Sequence, residues 1–188
     1  TTSAMPSRIS YRRYTPAVAN QGPLGTCVGW AIGYGQLTTQ QNIIMGETRY
    51  QQRSMRAMDP AFVFGLIRDN NDAWCQEGAS MGQAMKVLLD YGNKPKCFKP
   101  LMRCNETTRY SDFCMNVASM YKIDGVYRIN NADMVSEMKE ALQFGYTISI
   151  GVELTSSFKS GSTTLDGNWR PSYNEVSTGG HAMLIVGF

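Results

Sequence analysis

The chain has 188 residues, of which 43% are hydrophobic, and its formal net charge is +3. This length allows one substantial core or two small lobes around a cleft. The small net charge does not indicate a nucleic-acid partner. Because no apolar run approaches the roughly 18 residues that a membrane span needs, we expect a soluble protein with no membrane partner.

The first part of the chain predicts an extended segment followed by a central helix. Residues 1–19 contain scattered aromatic and basic side chains without a helical stripe, and we expect them to wrap a neighbouring element. Small and apolar residues over 26–45 predict a helix. Gly29, Gly33 and Gly35 lower its intrinsic propensity, and they indicate that other backbone packs closely against it.

Two further helices carry clear start signals. Asp59 followed by Pro60 is typical of an N-cap and a first helical position, and we expect this helix to end near Asn70. Ser80 begins a capping-box pattern, and Gly92 marks the end of that helix.

The second half of the chain is richer in strand patterns. Residues 147–154 alternate between apolar and polar types, which predicts a half-buried strand. Helices therefore precede strands, as in an α+β protein. The other predictions are an irregular connection over 93–110, a strand over 121–129, a helix over 134–142 ending at Gly145, a loop over 155–164 and a strand over 168–173.

Cys27 lies at the predicted start of the central helix, after a turn-rich loop with the sequence NQGPLGT. Unpaired amides and the helix dipole favour negative charge there, and so favour a reactive thiolate. Gln21 can fold back and donate from its side-chain amide to a carbonyl oxygen under attack. Most single cysteines in helices are nevertheless inert core residues, so a partner base is needed.

His181 is the only histidine in the chain, so an imidazole base for Cys27 must be His181. Gly179 and Gly180 precede it and begin an apolar run of strand-like composition. Cys27 belongs to the helical part and His181 to the strand part, and we expect the site in a cleft between them.

These two motifs resemble the papain family of cysteine peptidases, in which glutamine, cysteine and histidine occur in this order and setting. Residues 21–27 (QGPLGTC) and 179–188 (GGHAMLIVGF) carry the resemblance. It extends to residues 77–80 and 144–150, and Leu24 before Gly-Thr-Cys is the pattern of a bacterial-type variant. The resemblance implies a papain-like α+β fold with a helical lobe, an antiparallel β-barrel-like lobe and a cleft between them.

The resemblance also implies a cysteine endopeptidase in which Cys27, His181 and Gln21 are catalytic and a thioester intermediate forms. It implies that Gly78 binds an extended peptide through its backbone. Glu77 stands where relatives often have glycine, which changes that subsite, and we expect Gly180 to contact substrate as well. No metal or cofactor is needed. Peptides or proteins are the expected substrates, with an inhibitor or a pro-segment as further partners.

The domain boundaries and the C-terminus follow from the same resemblance. We expect a single catalytic domain over 1–188, with a helical lobe at about 20–116 and a sheet lobe from about 1–19 and 117–188. Relatives orient the histidine with an asparagine beyond residue 188, so we expect a truncated domain. Asn168 and Asn174 are internal alternatives for this orienting role.

Four cysteines besides Cys27 leave the compartment open. Cys75, Cys97, Cys104 and Cys114 allow two bridges in an oxidising compartment or simply free thiols, and Cys97 and Cys104 are candidates to tie the irregular connection. The bridge common in papain relatives cannot form, because its first position is Leu24. We expect a secreted or periplasmic protein. The functional alternatives are a catalytically silent papain-like binding domain and another thiol amidohydrolase, such as a peptidoglycan amidase.

Overall fold

The computed structural model describes residues 4–96, 104, 110–159, 168–172 and 174–188. Most of the helices precede an antiparallel pair of strands, as predicted. The central helix α1 begins with residues 27–28 in α-helical conformation, passes into the π-helical stretch Gly29–Gln36 and continues as the α-helical stretch Leu37–Met45. The other elements are α2 (Tyr50–Met55), α3 (Pro60–Ile67), α4 (Met81–Asp90), α5 (Asp112–Ser119), α6 (Met134–Gln143), β1 (Ile148–Thr155), α7 (Ser156–Lys159) and β2 (Ser177–Ile185).

Helix α1 is central because its glycines allow close approach of other elements. A Cβ atom at Gly29 would lie 2.5 Å from the carbonyl oxygen of Pro60, and one at Gly33 would lie 3.0 Å from Val63. Both contacts come from helix α3. The prediction that other backbone packs closely is confirmed at Gly29, whereas the close neighbour of Gly33 is the side chain of Val63. The π-helical widening of the first half was not foreseen.

The core lies between α1, α3 and α4, and β2 contributes to it. Ile32 and Val63 are fully buried, and they belong to one hydrophobic cluster with Leu88 of α4 and Ala182 of β2. The predicted caps hold the surrounding helices: Asp59 accepts a hydrogen bond from the amide of Ala61, and Ser80 accepts one from the amide of Gln83.

The described strands form a two-stranded antiparallel sheet in which Ile148 faces Ile185 and Val152 faces His181. The N-terminal segment extends it: the amide of Ile9 donates to the carbonyl of Phe188 at 2.9 Å, and Phe188 donates back to Ile9 at 2.9 Å. A 3₁₀ turn at Arg12–Tyr14 follows. The expectation that this segment wraps a neighbour is confirmed from Ile9 to Ala17, whereas residues 4–8 and Val18 are exposed.

Three local predictions were wrong. Residues 121–129 form no strand: Tyr121 and Ile123 pack against the core, whereas Tyr127 is exposed, so no repeated face is buried. Residues 168–172 form no strand either, and helix α7 occupies part of the predicted loop over 155–164. Most of the irregular connection over 93–110 lies outside the described residues, as does Cys97. Helix α5, which the sequence did not predict, begins at Ser111 with its side chain accepting from the amide of Cys114.

No helix of the described part is long and apolar enough to cross a bilayer. In that same part, no group of three or more His, Cys, Asp or Glu side chains is arranged to hold a metal ion.

Candidate active site

Cys27 lies in the first turn of the central helix, as its sequence setting predicts. The carbonyl of Thr26 accepts a hydrogen bond from the amide of Trp30 at 3.1 Å, so helical hydrogen bonding begins immediately before Cys27. The amides of this first turn have no helical acceptor, and they give the thiol a locally positive surrounding. Cys27 is half-buried and makes no disulfide.

Gln21 is held in the loop that precedes Cys27. Its Nε2 atom donates a hydrogen bond to the carbonyl of Leu24 at 2.6 Å. A primary amide carries two N–H donors, so the second one is available to a bound molecule. The same carbonyl of Leu24 accepts from the amide of Thr26 at 2.8 Å, which makes the loop compact.

A second loop packs against the nucleophile loop and is fixed to it through Gly25. The amide of Gly25 donates to the carbonyl of Cys75 at 2.6 Å, and a Cβ atom at Gly25 would lie 2.5 Å from the carbonyl oxygen of Glu77. Cys75 forms a disulfide with Cys104 and has a positive φ of 51°. The sequence left this pairing open, and the structure resolves it. Of the other cysteines described, Cys27 and Cys114 are free.

Asp72 fixes the shape of this second loop. Its two carboxylate oxygens accept hydrogen bonds from the amides of Gln76 and Glu77, each at 3.0 Å. Arg68 completes the support, because its Nη1 atom lies 3.2 Å from the sulfur of Cys75 and 3.1 Å from that of Cys104. The loop therefore presents Glu77 and Gly78 on a firm base, and space next to Gly78 is open.

His181 is on strand β2, opposite Val152 of β1. Its side chain is half-buried, and burial lowers the pKa of the imidazole from its usual value near 6.5. Desolvation disfavours the charged form, so the surroundings favour the neutral imidazole that a general base requires.

Gln21, Cys27 and His181 line one cleft of about 470 Å³. The other predicted site residues, Glu77, Gly78 and Gly180, are exposed and do not line it. Asn168 and Asn174, the internal candidates for orienting the histidine, are exposed and are likewise not part of its wall. The structure thus brings together the three side chains predicted to be catalytic.

Part of the cleft wall was missed by sequence reasoning. Residues 15–19 form one side, where the hydroxyl of Tyr34 donates to the carbonyl of Ala17 at 2.6 Å and the amide of Ala17 donates to Oγ of Ser54 at 3.0 Å. Trp30 lines the wall beside Tyr34, with their ring centroids 5.0 Å apart. The aromatic residues one turn and two turns after Cys27 were the available signal, because they share its helix face.

Solved structures with the same arrangement of elements are cysteine proteases. Xylellain, a cysteine protease from Xylella fastidiosa, matches with a TM-score of 0.72 at 22% identity, over 98% of this chain and 70% of that one. A digestive procathepsin L 3 from the larval midgut of Tenebrio molitor matches with a TM-score of 0.71 at 16% identity, over 100% and 56% respectively. This chain has the papain-like fold.

A third structure extends the comparison to a plant protein. The Carica candamarcensis cysteine protease solved in complex with E-64 matches with a TM-score of 0.57 at 16% identity, over 97% of this chain and 78% of that one. The chain spans only 56% of the procathepsin. No protein-family model matches the sequence, and no curated protein matches it at a significant level. At these identities the comparisons establish the papain-like fold alone.

Proposed function

We propose that this protein is a cysteine peptidase that cleaves peptide bonds through Cys27, His181 and Gln21. The observation that carries the proposal is their common cleft. Cys27 and the chain's only histidine come from distant parts of the sequence, and both line it together with Gln21. The papain-like fold of cysteine proteases supports the same reaction class.

The reaction begins with proton transfer from the Cys27 thiol to the imidazole of His181. The thiolate then adds to the carbonyl carbon of the substrate amide and forms a C–S bond. When the tetrahedral intermediate collapses, the C–N bond breaks, and His181 gives its proton to the departing amine. Water, deprotonated by His181, then hydrolyses the thioester and restores the Cys27 thiol.

The oxyanion of the intermediate would be stabilised by two donors near Cys27. These are the second Nε2 hydrogen of Gln21 and the backbone amide of Cys27 in the first helical turn. Loss of one such donor typically lowers turnover by about a hundredfold or more.

The substrate would lie extended along the loop that Asp72 supports. In this proposal the backbone of Gly78 pairs with the peptide, Glu77 influences the adjacent side-chain preference, and Gly180 contacts the peptide beside His181. A Cβ atom at Gly78 or Gly180 would have no neighbour within 4 Å, which is consistent with room for a ligand chain.

We also propose that the cleft separates a helical lobe at about 20–116 from a sheet lobe made of about 1–19 and 117–188. The disulfide between Cys75 and Cys104 favours an oxidising compartment, either extracellular or periplasmic. The proposal includes a pro-segment as a partner, since one of the similar structures is a procathepsin.

Thiol reactivity and peptide hydrolysis together test the function. Iodoacetamide should alkylate Cys27 rapidly at mildly acidic pH, and His181→Ala should abolish that acidic reactivity together with cleavage of unmodified peptides. Cys27→Ser should be inactive, whereas Cys114→Ser, which removes the other free thiol of the described part, should retain activity.

Two outcomes would contradict the peptidase proposal. A Cys27 thiol that reacts only at alkaline pH, in a protein that still binds peptides, would indicate a catalytically silent binding domain. Cleavage of peptidoglycan fragments without cleavage of unmodified peptides would indicate a thiol amidase of different specificity.

A further inference from the structure

Gln36 joins helix α1 to the beginning of strand β1 through both ends of its side-chain amide. Its Nε2 atom donates to the carbonyl of Thr147 at 2.8 Å, and its Oε1 atom accepts from the hydroxyl of Ser149 at 2.7 Å. Gln36 is half-buried, so these bonds form where competition from water is reduced.

Gln40 makes the same kind of connection one helical turn later. Its Nε2 atom donates to the carbonyl of Gly145 at 2.9 Å, and its Oε1 atom accepts from the backbone amide of Thr147 at 3.2 Å. The hydroxyl of Thr147 lies 3.4 Å from the same oxygen. We call Gln36 and Gln40 together the glutamine clamp.

The spacing of the glutamine clamp matches the repeat of an extended chain. Four residues of helix advance by about 6.0 Å, and two residues of strand advance by about 6.6 Å. Two glutamines in an i,i+4 relationship can therefore bind alternate residues of one extended segment. Gln36 contacts residues 147 and 149 and Gln40 contacts 145 and 147, so helix and strand run in opposite directions.

The segment bound by the glutamine clamp continues into the strand that pairs with the strand of His181. Residues 148–155 are strand β1, in which Ser149 faces Leu184 and Val152 faces His181 of β2. Cys27 stands at the start of the helix that carries the glutamine clamp. Among the described residues, every side-chain hydrogen bond between helix α1 and residues 145–188 involves Gln36 or Gln40.

We infer that the glutamine clamp sets the position of the strand pair bearing His181 relative to the helix bearing Cys27. Gln36 and Gln40 are thus positioning residues for the reaction, and this inference rests on the proposed peptidase function. Neither of them lines the cleft that holds Cys27 and His181. Their effect passes through β1 and its pairing with β2.

Kinetics of a double variant provide the first test. Gln36→Leu combined with Gln40→Leu should lower kcat by about 10- to 100-fold, because small displacements of reacting groups cost this much. KM should change by less than kcat, because the described loop at Gly78 makes no hydrogen bond to the clamp and only Gly180 of the proposed peptide contacts lies on the positioned strand pair. Gln41→Leu is the matched control, since Gln41 lies on the same helix and its side chain makes no hydrogen bond to a described residue.

A double-mutant cycle separates positioning from general loss of stability. Ser149→Ala removes only the hydroxyl that Gln36 binds, and it serves as the milder variant if the double glutamine variant does not fold. Ser149→Ala and Gln36→Leu remove the same hydrogen bond. The variant that carries both should therefore lower kcat by less than the product of the two separate fold-changes.

The single histidine gives a readout that does not depend on hydrolysis. The NMR titration midpoint of His181 should differ between the native protein and Cys27→Ser, because a nearby thiolate favours the imidazolium. This difference should shrink in the double glutamine variant and persist in Gln41→Leu.

The outcomes distinguish the inference from the function. If the native protein shows the thiol–imidazole coupling and the clamp variants lose it, the inference holds even where no peptide is cleaved, and only the peptidase proposal fails. If peptides are cleaved while kcat and the coupling are unchanged in folded clamp variants, the glutamine clamp has no positioning role. A native protein without any coupling would overturn the inference as well.

Discussion

The two walls of the cleft are built differently. The wall that carries Cys27 continues into the core: Val28 is 4% exposed and Ile32 is fully buried. Its loop is fixed by backbone contacts through Gly25 and by the disulfide of Cys75. The wall that carries His181 is one strand, of which residues 177–180 are exposed.

This difference separates two ways of holding a reactive group. On the cysteine side, atoms are fixed by close packing, so a single added methyl group would clash with neighbouring atoms. On the histidine side, position depends on one strand pairing and on polar side chains that bridge segments. We therefore expect substitutions on the cysteine side to act on stability, and those on the histidine side to act mainly on activity or its pH dependence.

The strongest test of this comparison is a matched pair of glycine substitutions. Gly25→Ala should destabilise the protein by roughly 3 kcal/mol or more, because the new methyl group would overlap the carbonyl oxygens of Glu77 and Gln76. Gly180→Ala should change stability by less than about 0.5 kcal/mol, since a Cβ atom there meets open space. Urea denaturation of both variants measures the two effects.

The activities of the same variants sharpen the result. Gly180→Ala should raise KM for peptides if Gly180 contacts substrate, while the urea midpoint stays close to the native one. Equal destabilisation by the two substitutions would contradict the distinction between the walls.

The next largest effect is expected from the disulfide on the cysteine side. Cys104→Ser should lower the free energy of unfolding by roughly 2–3 kcal/mol, because the bridge closes a loop between residues 29 apart in sequence. It should also raise KM, since Cys75 supports the loop that presents Glu77 and Gly78. Cys114→Ser is the control, because Cys114 is free and its loss opens no loop. A Cys104→Ser variant as stable as this control would exclude a stabilising role for the bridge.

Capping residues and glycines in the sequence correctly predicted where several helices begin and end. Asp59 and Ser80 act as N-caps. Gly92 and Gly145, which were predicted to end their helices, follow the last helical turns with positive φ angles. The strand prediction over 121–129 failed because an apolar composition without strict alternation does not show which side chains are buried. Tyr127 in that stretch is almost fully exposed.

The candidate site was predictable only where its chemistry requires rare residues. Cys27 follows a glycine-rich turn, and the single histidine of the chain is the only candidate for an imidazole base. The glutamine clamp could not be predicted from the sequence, because polar residues on a helix usually face solvent. Only the tertiary contact with residues 145–149 gives Gln36 and Gln40 their role. The partner of Cys75 was equally undetermined, since four cysteines allow several pairings.

The smallest expected effect concerns a carboxylate on the histidine side. Glu175 lies just before β2 and accepts hydrogen bonds from the amides of Ser157 at 3.2 Å and Ser172 at 2.9 Å. A side-chain hydrogen bond from Ser157 and the amide of Ser172 lower the pKa of Glu175 from 4.5 to about 2. The ionised form is thus favoured in the folded protein. Its contribution to stability is fully present above the unfolded pKa and is lost as the pH falls through about 2.

Glu175→Gln should therefore be slightly less stable than the native protein at neutral pH, and the difference should vanish near the folded-state pKa. Urea midpoints across this range measure it. Glu153→Gln is the control. Glu153 is exposed on β1 opposite Gly180, and its side chain makes no hydrogen bond to a described residue. If the urea midpoints of Glu175→Gln and the native protein differed by the same amount at every pH, packing rather than the carboxylate charge would stabilise the turn before β2. The histidine wall would then resemble the cysteine wall more closely than its exposure indicates.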